Sequence, residues 1–153
     1  MEPKPIAELE EYKAAGKLEN KVALITGGDS GIGRAIAILY AKEGANVAIG
    51  YYDEHQDAED TVNRLQEMGV KAKAYAHDLK DEKQSQKLIK DVINDFGSLN
   101  ILVNNGGVQF PRDHFEDITP QQVKETFMTN IFGMMFLSQA AAVSYTHLTL
   151  PTS

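Results

Sequence analysis

The chain has 153 residues, of which 42% are hydrophobic, so it is long enough for one modest domain with its own core and too short for two. Its formal charge of −7, without any cluster of lysine or arginine, argues against a nucleic-acid or anionic-membrane surface. The absence of cysteine excludes disulfides, thiolate catalysis and cysteine metal ligands, and we expect no metal site.

Residues 1–20 form a polar extension that contains proline near its start and lacks a wide apolar stripe. We interpret it as packed on the surface or partly disordered. It has no apolar central region, so it is not a signal peptide, and no apolar run in the chain approaches the length that spans a membrane. These features predict a cytoplasmic protein with no membrane partner.

Residues 21–33, with the sequence KVALITGGDSGIG, are the central motif of the chain. Residues 22–25 are an unbroken apolar run, as expected for a strand covered on both faces in a parallel sheet. Gly27, Gly31 and Gly33 follow with the spacing TGxxxGxG, and apolar residues then recur at helical intervals. The strand therefore leads through a glycine turn into a helix.

This strand–turn–helix geometry suits the diphosphate of a dinucleotide. Glycines let the backbone approach the phosphates, while the helix N-terminus presents free N–H groups and partial positive charge. The backbone amides of residues 30–33 are the predicted phosphate ligands. The alternative is a glycine-rich turn that binds nothing, which the glycine spacing alone does not exclude.

A second strand is predicted over residues 46–51, after Gly44 as the C-cap of the first helix. At the end of this strand a dinucleotide-binding fold reads the adenosine ribose, and an acidic residue there favours NAD. Tyr51 and Tyr52 occupy that place, which slightly favours NADP, yet no arginine stands beside them to hold a 2′-phosphate. Asp29 in the glycine turn also argues mildly against a phosphate, so the choice between NADP and NAD stays open.

Residues 54–68 predict an amphipathic helix, and residues 70–76 alternate like a strand. Asp78 follows at the carboxyl end of that strand, where ligands lie in open α/β sheets, so we expect it to face the adenine side of a dinucleotide. The alternative is that Asp78 caps the helix that starts near Asp81. His77 is interpreted as a strand end rather than as a catalytic base.

Residues 81–96 predict a third helix, and residues 101–103 predict a short, fully apolar strand. Asn104 and Asn105 follow at the carboxyl end of this strand, before two glycines. They could form nothing but a turn, because asparagine and glycine tolerate left-handed conformations. Beside the first strand, however, this turn would border the same crevice.

Thr119 as N-cap and Pro120 at the first helical position predict the start of a fourth helix. Residues 121–142 are apolar on more than one side, so we expect this helix to be buried or to pair with a second subunit. Asn130 interrupts the apolar pattern. A polar amide in such surroundings needs partners, so Asn130 is either a satisfied structural residue or a functional one.

Four of these segments resemble the short-chain dehydrogenase/reductase family: TGxxxGxG at residues 26–33, an adenine-side aspartate at Asp78, the NNAG region from Asn104, and a helical asparagine at Asn130. The resemblance covers residues 18–142 and points to the aldehyde-reductase and glucose-dehydrogenase-like branch. Gly106 stands where the NNAG motif has alanine, which loosens the loop.

The resemblance implies a doubly wound, Rossmann-like α/β fold with a parallel sheet of strand order 3-2-1-4-5-6-7, truncated here after the fourth strand and its following helix. It also implies which residues bind the cofactor. These are Thr26, Gly27, Asp29, Ser30, Gly31, Ile32, Gly33, Tyr51, Asp78, Leu79, Asn104, Asn105 and Gly106.

The family moves a hydride between a nicotinamide and a carbonyl or alcohol carbon, using an Asn, Ser, Tyr and Lys set. Only the asparagine, Asn130, is identifiable here, where the resemblance implies that it helps to hold a water for proton relay. The serine and the YxxxK pair are expected further on than this chain extends, so we expect no turnover. The alternative is a module that binds a nicotinamide dinucleotide as a sensed ligand.

The parent enzyme is expected to act on a small-molecule carbonyl or alcohol and to be a homo-oligomer, specifically a tetramer.

Residues 143–153, with the sequence VSYTHLTLPTS, have a different character. Ser144 and Tyr145 are adjacent, and Thr149 rather than lysine stands four residues after the tyrosine, so neither is assigned as catalytic. The start of this segment looks like one reading frame of a transposon-end sequencing adapter. We interpret it as a non-family tail that arose as a library artefact, and a natural divergent terminus is the alternative.

Overall fold

A computed structural model describes residues 11–146, with side chains up to residue 144. Its sheet has four parallel strands in the order β3-β2-β1-β4, namely β1 (Val22–Thr26), β2 (Asn46–Tyr51), β3 (Ala72–Ala76) and β4 (Ile101–Val103). The predicted doubly wound α/β architecture is therefore confirmed. The predictions for residues 1–10 and 147–153 lie outside the described residues.

Three helices follow the first three strands in turn. They are α1 (Gly31–Lys42), α2 (His55–Glu67) and α3 (Glu82–Phe96). After a short 3-10 helix (Phe115–Asp117), the chain continues as one long helix in three parts: α4 (Pro120–Phe127), a π-helical segment (Met128–Phe132) and α5 (Gly133–Thr146).

Helices cover both faces of the sheet, and each face carries its own core. Ile25 and Ile49 point to the face covered by α1 and α2, whereas Leu24 and Ala48 point to the face covered by α3 and α5. Every residue of β1 is buried, since its side chains alternate between two covered faces. This arrangement explains why the strand is an unbroken apolar run.

Helix and strand boundaries lie within two residues of those predicted. Gly44, Gly69 and Gly97 follow the first three helices with φ of +92°, +87° and +85°, a conformation that glycine adopts without steric cost. The largest difference is at β3, which starts at Ala72 rather than at residue 70, because residues 68–70 form the turn around Gly69.

The long fourth helix is less buried than the sequence predicts. Leu137 and Ala141 pack into the core beside α3, so burial within the domain holds for this part of the helix. Most of its large apolar side chains are exposed, namely Val123, Phe127, Ile131, Phe132, Met134, Met135 and Val143.

Residues Pro120–Ser144 are also long and apolar enough to cross a membrane, contrary to our expectation, although length and composition alone are weak evidence. Pairing with a second subunit stays a prediction.

Residues 11–20 lie against the C-terminal end of α1. The Glu43 carboxylate accepts hydrogen bonds from the Tyr12 hydroxyl, from the Ala15 N–H at 3.1 Å and from the Lys17 N–H at 2.8 Å. These bonds, that of Tyr12 above all, hold the pKa of the Glu43 carboxyl below its ordinary value. The described part of the extension is thus packed on the domain surface.

Candidate dinucleotide-binding site

The backbone between β1 and α1 has a shape that depends on glycine. Gly27 and Gly31 have φ of +64° and +51°. A Cβ on Gly33 would lie 2.0 Å from the Gly27 carbonyl oxygen and 2.5 Å from Asn105 Nδ2. The Gly27 N–H donates to the Gly50 carbonyl at 2.8 Å, which fastens the turn to the end of β2. Glycine at position 33 therefore lets the start of α1 pack closely against the turn and against Asn105.

Helix α1 begins with backbone N–H groups that have no partner within the helix. Ser30 is the N-cap and has an extended backbone, but its side chain makes no capping hydrogen bond. The N–H of Arg34 donates to the Ser30 carbonyl at 3.1 Å. The N–H groups of Gly31, Ile32 and Gly33 precede that first bond and face out of the helix end. Together with the helix dipole they suit an anionic group.

Thr26 and Asn105 join the glycine turn to the loop after β4. The Thr26 hydroxyl oxygen accepts from the N–H of Asn105 at 3.1 Å and of Gly106 at 2.9 Å. In return, Asn105 Nδ2 donates to the carbonyls of Thr26 at 3.1 Å and Gly27 at 3.2 Å. Neither Asn104 nor Asn105 has a left-handed backbone, and both side chains hydrogen-bond to other elements, so the pair also connects separate parts of the domain.

A cavity of about 530 Å³ opens at the carboxyl ends of the strands. Seven predicted site residues line it: Gly27, Asp29, Ser30, Tyr51, Asp78, Leu79 and Gly106. The other seven do not line it: Thr26, Gly31, Ile32, Gly33, Asn104, Asn105 and Asn130. The glycine turn and the loop after β4 therefore border one crevice, as expected, and Thr26 and Asn105 join these two segments by hydrogen bonds.

Further residues outside the predicted cofactor-binding set also line the cavity, and of these the sequence analysis had placed only Tyr52 near the ribose. They are Gly50, Tyr52, Asp53, Glu54, His77, Lys80, Gly107, Val108, Phe110, Glu125 and Thr129. Most of them lie at or just beyond a predicted strand end, and that position is the signal that could have found them. Glu125 and Thr129 come from the fourth helix, for which the sequence offers no such signal.

Asp78 lies at the end of β3 and is not a helix cap. The N-cap of α3 is Asp81, whose carboxylate accepts from the N–H of Lys83 at 2.9 Å and of Gln84 at 3.2 Å. Asp78 accepts instead from the Lys80 N–H at 2.9 Å and lies 3.8 Å from Lys80 Nζ. The capping alternative for Asp78 is therefore wrong, and its carboxylate belongs to the cavity wall.

The end of β2 offers aromatic rings and carboxylates. Tyr51 packs partly against the core, and its hydroxyl lies 2.8 Å from Nδ1 of His55. Tyr52 is 64% exposed at the mouth of the cavity. Asp53 and Glu54 line the cavity directly after it. A ribose hydroxyl at this position would meet hydrogen-bonding groups, whereas a phosphate would meet negative charge.

Asn130 holds the loop after β4 against the π-helical segment. Its Oδ1 accepts from the Val108 N–H at 2.8 Å, and its Nδ2 donates to the Val108 carbonyl at 2.8 Å. Asn104 makes a parallel connection, since its Nδ2 donates to Ser138 Oγ at 3.0 Å. Both the oxygen and the nitrogen of the Asn130 amide therefore have hydrogen-bond partners. Nδ2 keeps one further hydrogen, and Oδ1 keeps a lone pair for another donor.

Comparison with known proteins agrees with this geometry. A family model described as short chain dehydrogenase matches residues 21–146. General stress protein 39 of Bacillus subtilis (strain 168) is 48% identical over 141 residues, which are 92% of this chain and 49% of the relative. The glucose and ribitol dehydrogenase homolog of Oryza sativa subsp. japonica is 40% identical over 149 residues, with 92% of this chain and 50% of the relative covered.

A solved structure shows the same fold. The short-chain dehydrogenase from Burkholderia cenocepacia J2315, determined in complex with NADP, is 37% identical and superposes with a TM-score of 0.80, over 84% of this chain and 52% of that one. The chain belongs to the short-chain dehydrogenase/reductase family. It spans about half the length of the relatives that it matches.

Proposed function

We propose that this chain is the dinucleotide-binding part of an oxidoreductase that transfers a hydride between a nicotinamide and a carbonyl or alcohol carbon. The observation that carries the proposal is the start of α1, where N–H groups without helical partners directly follow Ser30, which lines the cavity. A helix start of this kind suits an anionic group such as a diphosphate.

The residues of the chain have separate roles in this proposal. The amides of residues 30–33 bind the diphosphate, Asp78 and Leu79 bind the adenine, and Tyr51 faces the adenosine ribose. Thr26 and Asn105 keep the glycine turn and the Gly106 loop in register, as their mutual hydrogen bonds support. A bound nicotinamide supplies the hydride chemistry. Asn130 orders the loop beside it and retains one N–H hydrogen with which to hold a water.

We propose a small preference for NADP over NAD. Tyrosines rather than a carboxylate end β2, which supports this choice, while related solved structures hold either NADP or NAD+. Asp29, Asp53 and Glu54 line the cavity and oppose a 2′-phosphate. Since one such repulsion near a surface is worth on the order of 1 kcal/mol, the ratio of the two affinities should be less than about tenfold.

We propose that the 153-residue chain binds the cofactor without turnover, because none of its tyrosines is followed by lysine four residues later. Calorimetric titration with NADPH and NADH should give saturable binding, while an absorbance assay over varied aldehydes and sugars should give no oxidation of either. Absence of binding would contradict the proposal, and clear turnover would contradict the catalytic assignment. A downstream gene sequence without serine and YxxxK would favour the non-catalytic sensor instead.

We propose that the parent enzyme is a cytoplasmic homo-oligomer, with a tetramer as the specific expectation, that acts on a small carbonyl or alcohol. The exposed apolar side chains of the fourth helix support pairing between copies, because a patch of this kind is rarely left in water by a single domain. Size-exclusion chromatography with light scattering on the parent enzyme tests this assembly, and a strictly monomeric species would contradict it.

A further inference from the structure

His77 is a buried polar residue in the wall of the cavity. Its exposed fraction is 7%, and its backbone N–H donates to the Tyr51 carbonyl at 2.9 Å, which places it beside the end of β2. Neither ring nitrogen makes a hydrogen bond of good geometry with the described residues, although the Tyr75 carbonyl lies near enough to act on the pKa of the imidazole. Buried polar atoms are nearly always paired, because an unpaired one loses its hydration without compensation. The position therefore calls for a ligand group.

The imidazole of His77 is neutral near pH 7. Burial lowers its pKa below the ordinary value of 6.5, and the Tyr75 carbonyl and the Asp78 carboxylate oppose this change only in part. A neutral imidazole offers one N–H donor and one acceptor nitrogen and carries no charge. The ring is therefore suited to a base or a hydroxyl group rather than to a phosphate, which Asp53 and Glu54 in the same wall would also disfavour.

Gly50 on β2 makes room for this ring. A Cβ on Gly50 would lie 2.6 Å from Cε1 and 3.1 Å from Nδ1 of His77. The backbone of Gly50 has no positive φ that would itself require glycine. Glycine weakens a strand and often marks a close approach by another group, which here is the imidazole. Glycine at position 50 of β2 therefore leaves free the space that the imidazole ring of His77 occupies.

We propose that His77 is an adenosine-recognition residue, whose imidazole hydrogen-bonds the adenine base or a ribose hydroxyl of the bound dinucleotide. This proposal rests on the proposed function, since the ends of β2 and β3 are where the fold places the adenosine half. A metal-ligand role has no support, because the described residues contain no group of three His, Cys, Asp or Glu side chains that would hold a metal ion.

The test is calorimetric titration of the full chain with ADP and with NADPH. His77→Phe keeps a ring and removes both nitrogens, so it should weaken both ligands by about five- to tenfold, the effect of one lost hydrogen bond. His77→Gln should recover part of the affinity. His114→Phe is the matched control, because His114 is exposed and outside the cavity, and it should leave both affinities unchanged. Without ligand, His77→Phe should unfold at the same or a higher temperature than the unsubstituted chain.

A double-mutant cycle tests the contact with Gly50. Gly50→Ala displaces the ring, so it should weaken ADP binding in the unsubstituted chain and add nothing in a His77→Ala background. Equal affinities for the unsubstituted chain and His77→Phe would overturn the role of His77 and leave the proposed function intact. If the unsubstituted chain binds neither ADP nor NADPH, both proposals fail.

Discussion

Gly33 has the tightest surroundings of the glycines in the described part of the chain. In Gly33→Ala the new methyl group would meet a backbone carbonyl oxygen at 2.0 Å, which has no rotamer with which to move away. We expect a loss of about 3 kcal/mol in the free energy of unfolding and at least about a hundredfold loss in NADPH affinity. Thermal unfolding and calorimetric titration measure the two effects.

Gly69→Ala is the matched control for this substitution. Gly69 has a positive φ, which Gly33 lacks, but no atom lies within 4 Å of the place that the new methyl group would take, and the residue does not line the cavity. It should cost about 1 kcal/mol through its backbone alone and leave NADPH affinity unchanged. If both variants bound the cofactor like the unsubstituted chain, the role of Gly33 in holding the phosphates would be refuted.

Residue types and strand ends were enough to predict Ser30, Asp78 and Gly106 at the cavity. They were not enough for His77 and Gly50, because the contact between them depends on the register of β2 with β3. Their neighbour pairs, Gly50 with Tyr75 and Tyr51 with Ala76, become visible only when the strands are aligned. No local pattern in a single sequence encodes that alignment.

Among the elements, α4 offers a direct test of a predicted cap. Thr119 accepts from the Gln122 N–H at 3.2 Å, and the Gln122 side chain accepts in return from the Thr119 N–H at 3.0 Å. Thr119→Ala should lower the free energy of unfolding by about 1 kcal/mol, since the Gln122 N–H loses its acceptor. Thr119→Ser keeps the hydroxyl and should be near neutral in the same chemical denaturation experiment. Equal losses in the two variants would contradict the capping role.

Helix and strand boundaries were predictable because caps and glycines mark them locally. The π-helical segment was not, since Met128–Phe132 contains no proline or glycine and reads as an ordinary stretch of helix. It lies between two long-range contacts that a single sequence does not show, the hydrogen bonds of Asn130 with Val108 and the packing of α5 against α3. The exposure of the apolar side chains on this helix could not be predicted either, because the sequence pattern shows which residues are apolar but not which of them are covered.

At the scale of the whole molecule, the Glu43 carboxylate attaches residues 11–20 to the domain. Its pKa is lowered in the folded state, so its contribution to stability is present above the unfolded value of about 4.5 and is lost as the pH falls through the folded value. Glu43→Gln should therefore lower the thermal unfolding midpoint at pH 7, and the difference from the unsubstituted chain should shrink by pH 3. Glu59→Gln, at an exposed position on α2, should show no such pH-dependent difference. A constant gap for Glu43→Gln would argue against the carboxylate as the anchor.

The π-helical segment affects which insertions and deletions the fold tolerates. A π turn takes in one residue more than an α turn, and one residue corresponds to about 100° of rotation around a helix axis. Glu125 and Thr129 line the cavity, whereas Leu137 and Ala141, which follow the segment, pack into the core beside α3. A single-residue insertion or deletion within Met128–Phe132 would rotate one set away from its partner, whereas the same change in the surface loop before α4 would leave both in place.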